Sequence, residues 1–398
     1  MRIGVLTGGG DCPGLNAVIR SIVRKAETQF GAEIIGFYDS WDGVMEQRYS
    51  LLKTNDVRGI APKGGTILGT RRGGPFDEQD GVANVQRAFS DLGLDSLVVI
   101  GGNGSLTVAS RLHEEFGLPT IGVPKTIDND VVGTDATFGF QTAVQIATDA
   151  IDRLHTTAES HDRIMVVEVM GRDAGWIALH AGIAGGATAI VVPEAPFDIV
   201  ELTEIVKRRH ENGRYASIVV VAEGAKPKAG TLEIPPPVVD KNGHAYNGDV
   251  SRVIASELEG RTGYESRLVQ LGHVQRGGTP TSYDRVLATR FGLAAVDACV
   301  NKEFGQMVVL RSGEIKRESM KVTSGKTRTI NLDLYNDNML EKLVRKTAER
   351  LEIGTSVILA SLTELIEQLE NYRIDAVAAS QEEKLQPKLL TAKERQSA

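Results

Sequence analysis

Seven short apolar runs rich in β-branched residues limit the folds open to this chain, because stretches with helical spacing lie between them. Runs this apolar are typical of strands buried on both faces, as in a parallel sheet covered by helices. The pattern therefore predicts a doubly wound α/β fold. The predicted strands are Ile3–Leu6, Ile34–Phe37, Leu97–Ile100, Thr120–Val123, Ile164–Val169, Ala189–Val192 and Ile218–Ala222, and the predicted helices include Asn16–Thr28, Asn84–Leu92 and Thr142–His155.

Length and composition exclude several classes of protein. The chain has 398 residues, enough for two lobes or one large α/β unit, since one domain usually takes about 150. Its net charge of −7 argues against binding to the nucleic-acid backbone. No run reaches the roughly 18 apolar residues of a membrane span, and no secretory leader is recognisable. With only two cysteines, Cys12 and Cys299, we expect a cytoplasmic protein.

Three segments rich in glycine or aspartate each directly follow a predicted strand: Gly8–Gly10, Gly101–Gly104 and Lys125–Asp130. Ligands of doubly wound sheets collect at the carboxyl ends of strands, so we expect all three to line one crevice. The backbone amides of the two glycine segments can face a phosphate beside a helix start. A glycine turn that serves only strand–helix packing, or an Asn-Gly turn, would look similar in either segment alone.

The stretch Pro124–Asp130 places two carboxylates two residues apart after a buried strand. In phosphoryl transfer one aspartate can accept the proton of the attacking hydroxyl, while positioning and charge stabilisation do the rest. Lys125 would add positive charge beside the transferred group. Taken alone, the stretch is also compatible with an Asx-rich helix cap.

Two further stretches, Val167–Trp176 and Leu271–Arg285, combine arginine or histidine with glycines. The planar donor fork of arginine suits an anionic sugar phosphate, and glycines admit its close approach. Taken singly, His273 is equally compatible with a structural hydrogen bond, and Arg72 and Arg163 with solvated surface charges. Two anionic ligands in one cleft explain these clusters together.

In their order and approximate spacing, these motifs closely resemble the phosphofructokinase family over roughly residues 1–320. The matching stretches are TGGGDCPGLNAVIR, GGTILGTRRGG, IGGNGS, PKTIDND, TFGFQTA, AIDRLHTTAESHDR, VEVMGRDAGW, VVVAEG and LGHVQRGGTP. The resemblance implies two doubly wound, Rossmann-like lobes with an active-site cleft between them. It also implies phosphoryl transfer to the 1-hydroxyl of fructose 6-phosphate, with Mg²⁺ as the cofactor.

The resemblance divides the chain into two lobes and an extension. We expect a donor-binding lobe of residues 1–139 and about 275–325, and a fructose-6-phosphate-binding lobe of residues 140–274. Residues 326–398 would form a C-terminal helical extension, since leucines from Leu340 to Leu369 keep amphipathic helical spacing. We expect these helices to cover the body or to mediate subunit assembly. The proline-rich stretch 226–249 is predicted to be a surface insertion.

The resemblance also assigns roles to single residues. Asp128 would be the base, and the other catalytic residues would be Arg72, Arg172 and Lys125. The donor would be bound by Gly9, Gly10, Arg72, Gly102, Asn103, Gly104 and Ser105, with Asn103 at the metal position. The substrate would be bound by Thr126, Asp128, Asp130, Arg163, Met170, Gly171, Arg172, Glu223, Arg267, His273 and Arg276. In this family Arg163 and Arg267 would reach across from a neighbouring subunit, so a homotetramer or homodimer is implied.

Three positions bear on the identity of the phosphoryl donor. Asn103 stands where most ATP-using members have Asp, so Mg²⁺ would rely more on donor phosphates and water. Gly104 leaves open the space that an Asp fills in pyrophosphate users, which favours ATP. Lys125 matches the pyrophosphate users, although a mixed subgroup with this lysine and a glycine at the preceding motif uses ATP.

ATP is therefore the expected donor. Three candidate functions remain, and they are given in descending order of expectation. The first is an ATP-dependent phosphofructokinase and the second a reversible, pyrophosphate-dependent enzyme. The third is a weakly catalytic paralogue that binds sugar phosphate as a subunit or assembly partner.

Regulation is expected to differ from that of typical bacterial members of this family. Arg20 and Arg24 match part of their basic allosteric site. His155, Thr188 and Tyr215 fall at or near positions where that site has charged residues. The usual allosteric control is therefore not predicted.

Overall fold

The computed structural model describes residues 1–235, 238–239, 245–246 and 249–332, in which strands and helices alternate. The strands are β1 (Arg2–Thr7), β2 (Glu33–Phe37), β3 (Tyr49–Leu52), β4 (Ser96–Gly101), β5 (Thr120–Thr126), β6 (Phe138–Gly139), β7 (Ile164–Val169), β8 (Ala189–Val191), β9 (Ser217–Ala222), β10 (Val238–Val239), β11 (Ala245–Tyr246), β12 (Ser266–Gln270), β13 (Gln306–Arg311) and β14 (Glu314–Ser319). The α-helices are α1 (Leu15–Phe30), α2 (Trp41–Met45), α3 (Gly81–Leu92), α4 (Asn103–Phe116), α5 (Phe140–His161), α6 (Trp176–Ala184), α7 (Ile199–Glu211), α8 (Val250–Thr262) and α9 (Ser282–Val300). Two short 3-10 helices cover Gly272–Arg276 and Met320–Thr323.

The large sheet has the strand order β14-β13-β5-β4-β1-β2-β3, and β6 pairs with β5 beside this path. Strands β2, β1, β4 and β5 run parallel, whereas the pairs β2–β3 and β13–β14 are antiparallel. Side chains such as Leu6, Phe37, Leu97 and Met307 are buried in its core. Burial of each aliphatic or aromatic side chain of this size contributes about 1.5–3 kcal/mol to the stability of the fold. This packing keeps in place the strands whose ends carry the candidate site.

The small sheet has the order β12-β7-β9-β8, and all its strands are parallel. Its core includes Ile164, Val166, Val219 and Val221 from the two central strands. Both sheets lie within one compact unit, residues 1–330. The carboxyl ends of β7 and β9 therefore belong to the same unit as the loops of the large sheet.

The α-helices α7 and α9 each have a side-chain cap at their first turn. The Asp198 carboxylate accepts from the Val200 backbone N–H at 2.8 Å where α7 begins. The Thr281 hydroxyl accepts from the Asp284 backbone N–H at 3.4 Å where α9 begins. Such caps satisfy amide donors that a helix start would otherwise leave unpaired.

Six of the seven predicted strands lie within observed strands, and the seventh, Ala189–Val192, extends one residue beyond β8, so the α/β prediction is confirmed. Strands β3, β12, β13 and β14 were not predicted from the pattern. Strands β3, β12 and β14 are partly exposed, and β14 reads EIKRES, so charges interrupt the apolar run by which buried strands are recognised. Strand β13 does contain a buried apolar run, Met307–Leu310, which the prediction missed.

The two cysteines, Cys12 and Cys299, are both buried and unpaired. Within the described ranges, none of the helices is long and apolar enough to cross a lipid bilayer. The predicted C-terminal helices lie outside the described residues, as does most of 236–248 in the predicted surface insertion.

Candidate active site

The carboxyl ends of β1, β4 and β5 open onto one cavity of about 350 Å³. Its lining residues are Gly9, Gly10, Asp11, Arg71, Arg72, Gly73, Asp77, Gly102, Asn103, Gly104, Ser105, Val108, Lys125, Thr126, Ile127, Asp128 and Arg276. All three segments expected to share a crevice contribute to this cavity, so that prediction is confirmed. Parallel strands point their carboxyl ends to one edge, which brings together loops far apart in sequence.

Helix α4 begins inside this cavity without a side-chain cap. Gly102 is the N-cap residue and, because it has no side chain, supplies no cap hydrogen bond to the first turn. The amides at the start of α4 are therefore available to an external acceptor, and the helix dipole adds partial positive charge. A helix start of this kind binds phosphate, and here Gly102, Asn103, Gly104 and Ser105 line the cavity beside it.

Gly104 and Gly10 differ in what a side chain would meet. A Cβ atom added to Gly104 would meet no heavy atom of the described residues within 4 Å, apart from its chain neighbours and the backbone of its own helix. A Cβ atom added to Gly10 would lie 1.9 Å from Nη1 of Arg276. Gly10 therefore admits the Arg276 guanidinium to the cavity wall, whereas Gly104 leaves cavity space empty.

Lys125 is buried beneath the first glycine segment. Its ammonium group Nζ donates to the Gly8 carbonyl at 2.8 Å and to the Gly10 carbonyl at 2.5 Å. Burial lowers the pKa of Lys125. The side chain thus holds the glycine segment in place while it carries charge to the floor of the cavity.

The adjacent arginines Arg71 and Arg72 both line the cavity and are both exposed. Arg71 pairs with Asp42 at 3.2 Å and with Asp39 at 3.9 Å. In the part of the chain that the structure describes, Arg72 forms no ion pair. Its guanidinium is therefore free to bind an anion in the cavity.

Asp128 and Asp130 lie in the loop Thr126–Asp130, which we call the catalytic loop. Burial, and next the charge of Asp130, raises the pKa of Asp128 to about 7. Burial also raises the pKa of Asp130, against hydrogen bonds from its own backbone N–H and from Thr126. The Asp128 Oδ1 atom is shielded from solvent and has no hydrogen-bond partner in the described residues. A carboxylate with a pKa near neutral pH is suited to accept a proton from a substrate.

Asn103 is oriented by Asp130. Its Nδ2 atom donates to the Asp130 carboxylate at 3.1 Å and to the Asp130 carbonyl at 3.3 Å. Its Oδ1 atom is buried and has no partner within the described ranges. Oxygen ligands of this kind suit Mg²⁺, so the site fits the ion. No cluster of three or more acidic, histidine or cysteine side chains that could hold a metal is found among the described residues.

The candidate substrate residues at the carboxyl ends of β7 and β9 contact one another. The Gly224 amide donates to the Gly171 carbonyl at 3.2 Å, and the Met170 amide donates to Gln275 Oε1 at 3.3 Å. Burial, and next the charge of Glu168, raises the pKa of Glu223. The structure thus brings Met170, Gly171 and Glu223 together.

Two other candidate substrate residues, His273 and Arg276, lie in the 3-10 helix that follows β12. Both are close enough to Glu223 to lower its pKa, although burial outweighs them. The charge of Arg276 also lowers the pKa of Asp128, and Arg276 lines the cavity described above. Arg172 is exposed beside the Met170 loop. Arg276, from the segment that follows β12, therefore lines the cavity at the large sheet, whereas Met170, Gly171, Arg172, Glu223 and His273 are not among its lining residues.

Arg163 and Arg267 are not brought to this site within one chain. Arg163 immediately precedes β7, and Arg267 is the second residue of β12. Both bind the Glu265 carboxylate, Arg163 through Nε at 2.5 Å. Strands of five or six residues are about 16–20 Å long, so these arginines lie at the opposite end of the small sheet from Met170.

Several residues at the site were not predicted. The cavity lining adds Asp11, Arg71, Gly73, Asp77 and Val108. Ile127 also lines it, inside the segment Lys125–Asp130 that was expected there. Asp11 and Arg71 are sequence neighbours of predicted residues, which is the one signal that could have identified them. Gln275 lies between His273 and Arg276, but its burial against the Met170 loop has no local signal.

The family assignment rests on the whole of this region. A family model described as Phosphofructokinase matches residues 2–299. This chain belongs to the phosphofructokinase family. The match extends from β1 through β12 and almost to the end of α9. It therefore includes every residue that lines the cavity and the loops of the small sheet.

Relatives in the phosphofructokinase family carry two kinds of name. An ATP-dependent 6-phosphofructokinase 3 of Streptomyces coelicolor is 57% identical over 320 residues, 80% of this chain and 94% of that protein. A pyrophosphate–fructose 6-phosphate 1-phosphotransferase of the same organism is 51% identical over 337 residues, 85% of this chain and 98% of that protein. The solved phosphofructokinase of Saccharomyces cerevisiae, 33% identical, superposes with a TM-score of 0.71 over 81% of this chain and 45% of that chain.

Proposed function

We propose that this protein transfers the terminal phosphoryl group of ATP to the 1-hydroxyl of fructose 6-phosphate. The products are ADP and fructose 1,6-bisphosphate. The names of relatives that share at least half of their residues with this chain support the acceptor, because both kinds of name contain phosphofructokinase or fructose 6-phosphate. They divide over the donor, so the choice of donor rests on the cavity.

The empty space at Gly104 is the observation that carries the choice of ATP. Gly104 lines the cavity at the start of α4, where phosphates are expected, and a Cβ atom there would meet no neighbouring segment of the described chain within 4 Å. An acidic side chain there would fill the space and repel a third phosphate group. Glycine leaves room for the longer donor. Lys125 binds two carbonyls of the glycine segment, and this role is compatible with either donor.

Asp128 is proposed as the base. With a pKa of about 7 it is largely ionised at slightly alkaline pH, and its carboxylate lines the cavity, where it can accept from a substrate donor. The 1-hydroxyl of the sugar supplies that donor. As the hydroxyl oxygen bonds to the terminal phosphorus and the bond to the ADP oxygen breaks, the proton passes to Asp128.

Positive groups around the cavity stabilise charge on the moving phosphoryl group. Arg72 is free of ion pairs in the described part of the chain, and Arg172 is exposed in the loop that follows β7. The amides at the start of α4 bind the donor phosphates together with Gly9 and Gly10. Such preorganised donors are most effective where water is excluded.

Asn103 is the residue proposed to hold Mg²⁺, through its unpartnered Oδ1 atom. When bound, the ion would neutralise charge on the donor phosphates. Asn103 is neutral, so most of the oxygen ligands of Mg²⁺ would come from the donor phosphates and from water. Asp130 keeps the amide oriented through its bond to Nδ2.

The sugar is proposed to bind at Met170, Gly171 and Glu223, with Thr126 and Asp130 beside the base. His273 and Arg276 would bind its 6-phosphate. Arg163 and Arg267 lie too far away within one chain, which supports the proposal that they complete the site of a neighbouring subunit. We therefore infer a homodimer or homotetramer. We also infer that the protein acts in the cytoplasm, that the large sheet forms the donor-binding lobe and that the small sheet forms the sugar-binding lobe.

The test measures fructose 1,6-bisphosphate formed from fructose 6-phosphate and Mg²⁺, with ATP in one sample and pyrophosphate in another. We expect product with ATP and at least tenfold less with pyrophosphate, since only ATP uses the added space. Asp128→Asn with ATP is the matched control for a contaminating kinase. Product with pyrophosphate alone would overturn the choice of donor. Loss of product in both samples would leave the third function, a sugar-phosphate-binding partner.

A further inference from the structure

Residues 326–330, which follow the second 3-10 helix, lie against the back of the catalytic loop. We call this segment the strap. The Arg328 backbone N–H donates to the Asp130 carbonyl at 2.8 Å, and Arg328 Nη1 donates to the Asn129 carbonyl at 3.0 Å. One residue of the strap thus binds two consecutive carbonyls of the catalytic loop.

The other side of the strap is bound to the small-sheet half of the molecule. The Trp176 indole N–H donates to the Arg328 carbonyl at 2.9 Å, and the Arg328 guanidinium lies 4.1 Å from the centre of the indole. The Ile330 amide donates to the Glu194 carboxylate at 3.1 Å. That carboxylate also accepts from the Gly175 amide at 3.0 Å. These residues flank the start of α6, directly after the Met170–Arg172 loop.

The catalytic loop depends on bonds from outside itself. Asn129 has a φ of 53°, a left-handed conformation that asparagine adopts more readily than most residues with a side chain. Its own side chain helps to hold this turn, because Asn129 Oδ1 accepts from the Thr137 amide at 3.0 Å. The Asp128 Oδ1 atom has no partner in the described residues, so the backbone of the loop sets its direction.

We propose that Arg328 is a positioning residue for the phosphoryl-transfer reaction. By binding Asn129 and Asp130 on one side and Trp176 on the other, it fixes the direction of the Asp128 carboxylate relative to the sugar-binding loop. The inference rests on the proposed function, because it assumes that Asp128 accepts the proton. Small displacements of a reacting group reduce rates strongly, which is the effect expected when Arg328 is lost.

The test compares three full-length variants with the wild type in the ATP assay. Arg328→Met keeps an unbranched side chain over Trp176 but removes the guanidinium donor. Arg328→Lys restores a donor, and Lys326→Met is a matched control on an exposed side chain of the same strap. For Arg328→Met we expect kcat to fall by about tenfold or more, with KM for fructose 6-phosphate within about twofold. Arg328→Lys should recover part of kcat, and Lys326→Met should match the wild type.

The outcomes separate this inference from the proposed function. If wild-type protein makes no product with either donor, the proposed function fails and the inference fails with it. If the wild type is active and Arg328→Met keeps its kcat, or loses activity only through a higher KM, the inference alone is overturned. If Arg328→Met does not fold, Arg328→Lys decides: a reduced kcat at unchanged KM supports the positioning role, and a full kcat contradicts it.

Discussion

The two sheets distribute their candidate residues in different ways. At the large sheet, the loops after β1, β4 and β5 converge in one cavity within a single chain. At the small sheet, Met170 and Glu223 follow the carboxyl ends of strands, whereas Arg163 and Arg267 lie at the amino ends. The donor half of the proposed site is therefore complete in one chain. The acceptor half needs either a second copy of the chain or fewer arginines than the family resemblance implies.

The largest effect is expected from Asp128→Asn, which tests the half that is complete in one chain. We expect kcat to fall by about 10³-fold, because the amide cannot accept the proton of the sugar hydroxyl. Calorimetric titration should give a dissociation constant for fructose 6-phosphate within about threefold of the wild-type value, since the other sugar contacts remain. The measurement is initial rate with ATP at saturating substrates.

The matched control for that variant is Asp80→Asn, on an exposed aspartate with a φ of 61°. Asparagine tolerates this left-handed conformation as well as aspartate does, so activity should be unchanged. A loss of less than tenfold for Asp128→Asn would mean that another group takes the proton.

Gly104→Asp sharpens the comparison by changing only the donor half. A carboxylate in the open space would repel the phosphates of ATP, so kcat/KM for ATP should fall by about 100-fold. KM for fructose 6-phosphate should stay near the wild-type value. Gly104→Ala is the matched control, because its Cβ atom meets no neighbour within 4 Å and should preserve ATP use. Equal ATP use by both variants would show that this space does not select the donor.

Arg267→Ala tests whether the acceptor half is shared between subunits. Loss of a charge-assisted bond to the 6-phosphate should raise KM for fructose 6-phosphate by about 30-fold. Chains carrying Arg267→Ala are then refolded together with chains carrying Asp128→Asn. Mixed oligomers should regain sites with a low KM, because one chain supplies Asp128 and its neighbour supplies Arg267. Each variant refolded alone is the control, and no recovery in the mixture would show that the acceptor half is not shared.

The smallest effect concerns pH. The pKa of Asp128 is raised to about 7 by burial and by Asp130, and only the ionised carboxylate accepts a proton. We therefore expect kcat/KM to be half-maximal near pH 7, to approach a plateau near pH 8, and to be about tenfold lower at pH 6 than on that plateau. The phosphate of the sugar also titrates near pH 6, so the binding of fructose 6-phosphate to Asp128→Asn over the same range is the control. A flat profile from pH 6 to 8 would contradict this proton acceptor.

Much of the large sheet could be predicted because its central strands are buried on both faces. A continuous apolar run is visible in sequence, and the loop that follows it lies at a known edge of the sheet. Strand β14 and strand β12 carry charges on exposed faces, so they lack this signal. The same reasoning explains why the three cavity segments could be identified and the antiparallel edge could not.

Contacts between distant segments could not be predicted. Gln275 and Met170 are 105 residues apart, and Arg328 and Asn129 are 199 apart. The composition around Gln275 or Arg328 does not indicate which backbone group each will bind. In the same way, nothing near Arg71 and Arg72 distinguishes the arginine that pairs with Asp42 from the one left for a ligand. Such assignments require the tertiary structure.

Because both cysteines are buried, the chemical labelling of their thiols can be used to measure local opening of the folded chain. Burial raises the pKa of Cys299 to about 12 and that of Cys12 further above its ordinary value. Neither thiol is ionised at neutral pH, so alkylating reagents and peroxides find no thiolate in the native state. Cys12 lies between the first glycine segment and α1, and Cys299 lies near the end of α9, which packs on α1. The labelling rate of each thiol therefore measures how often the structure around that thiol opens.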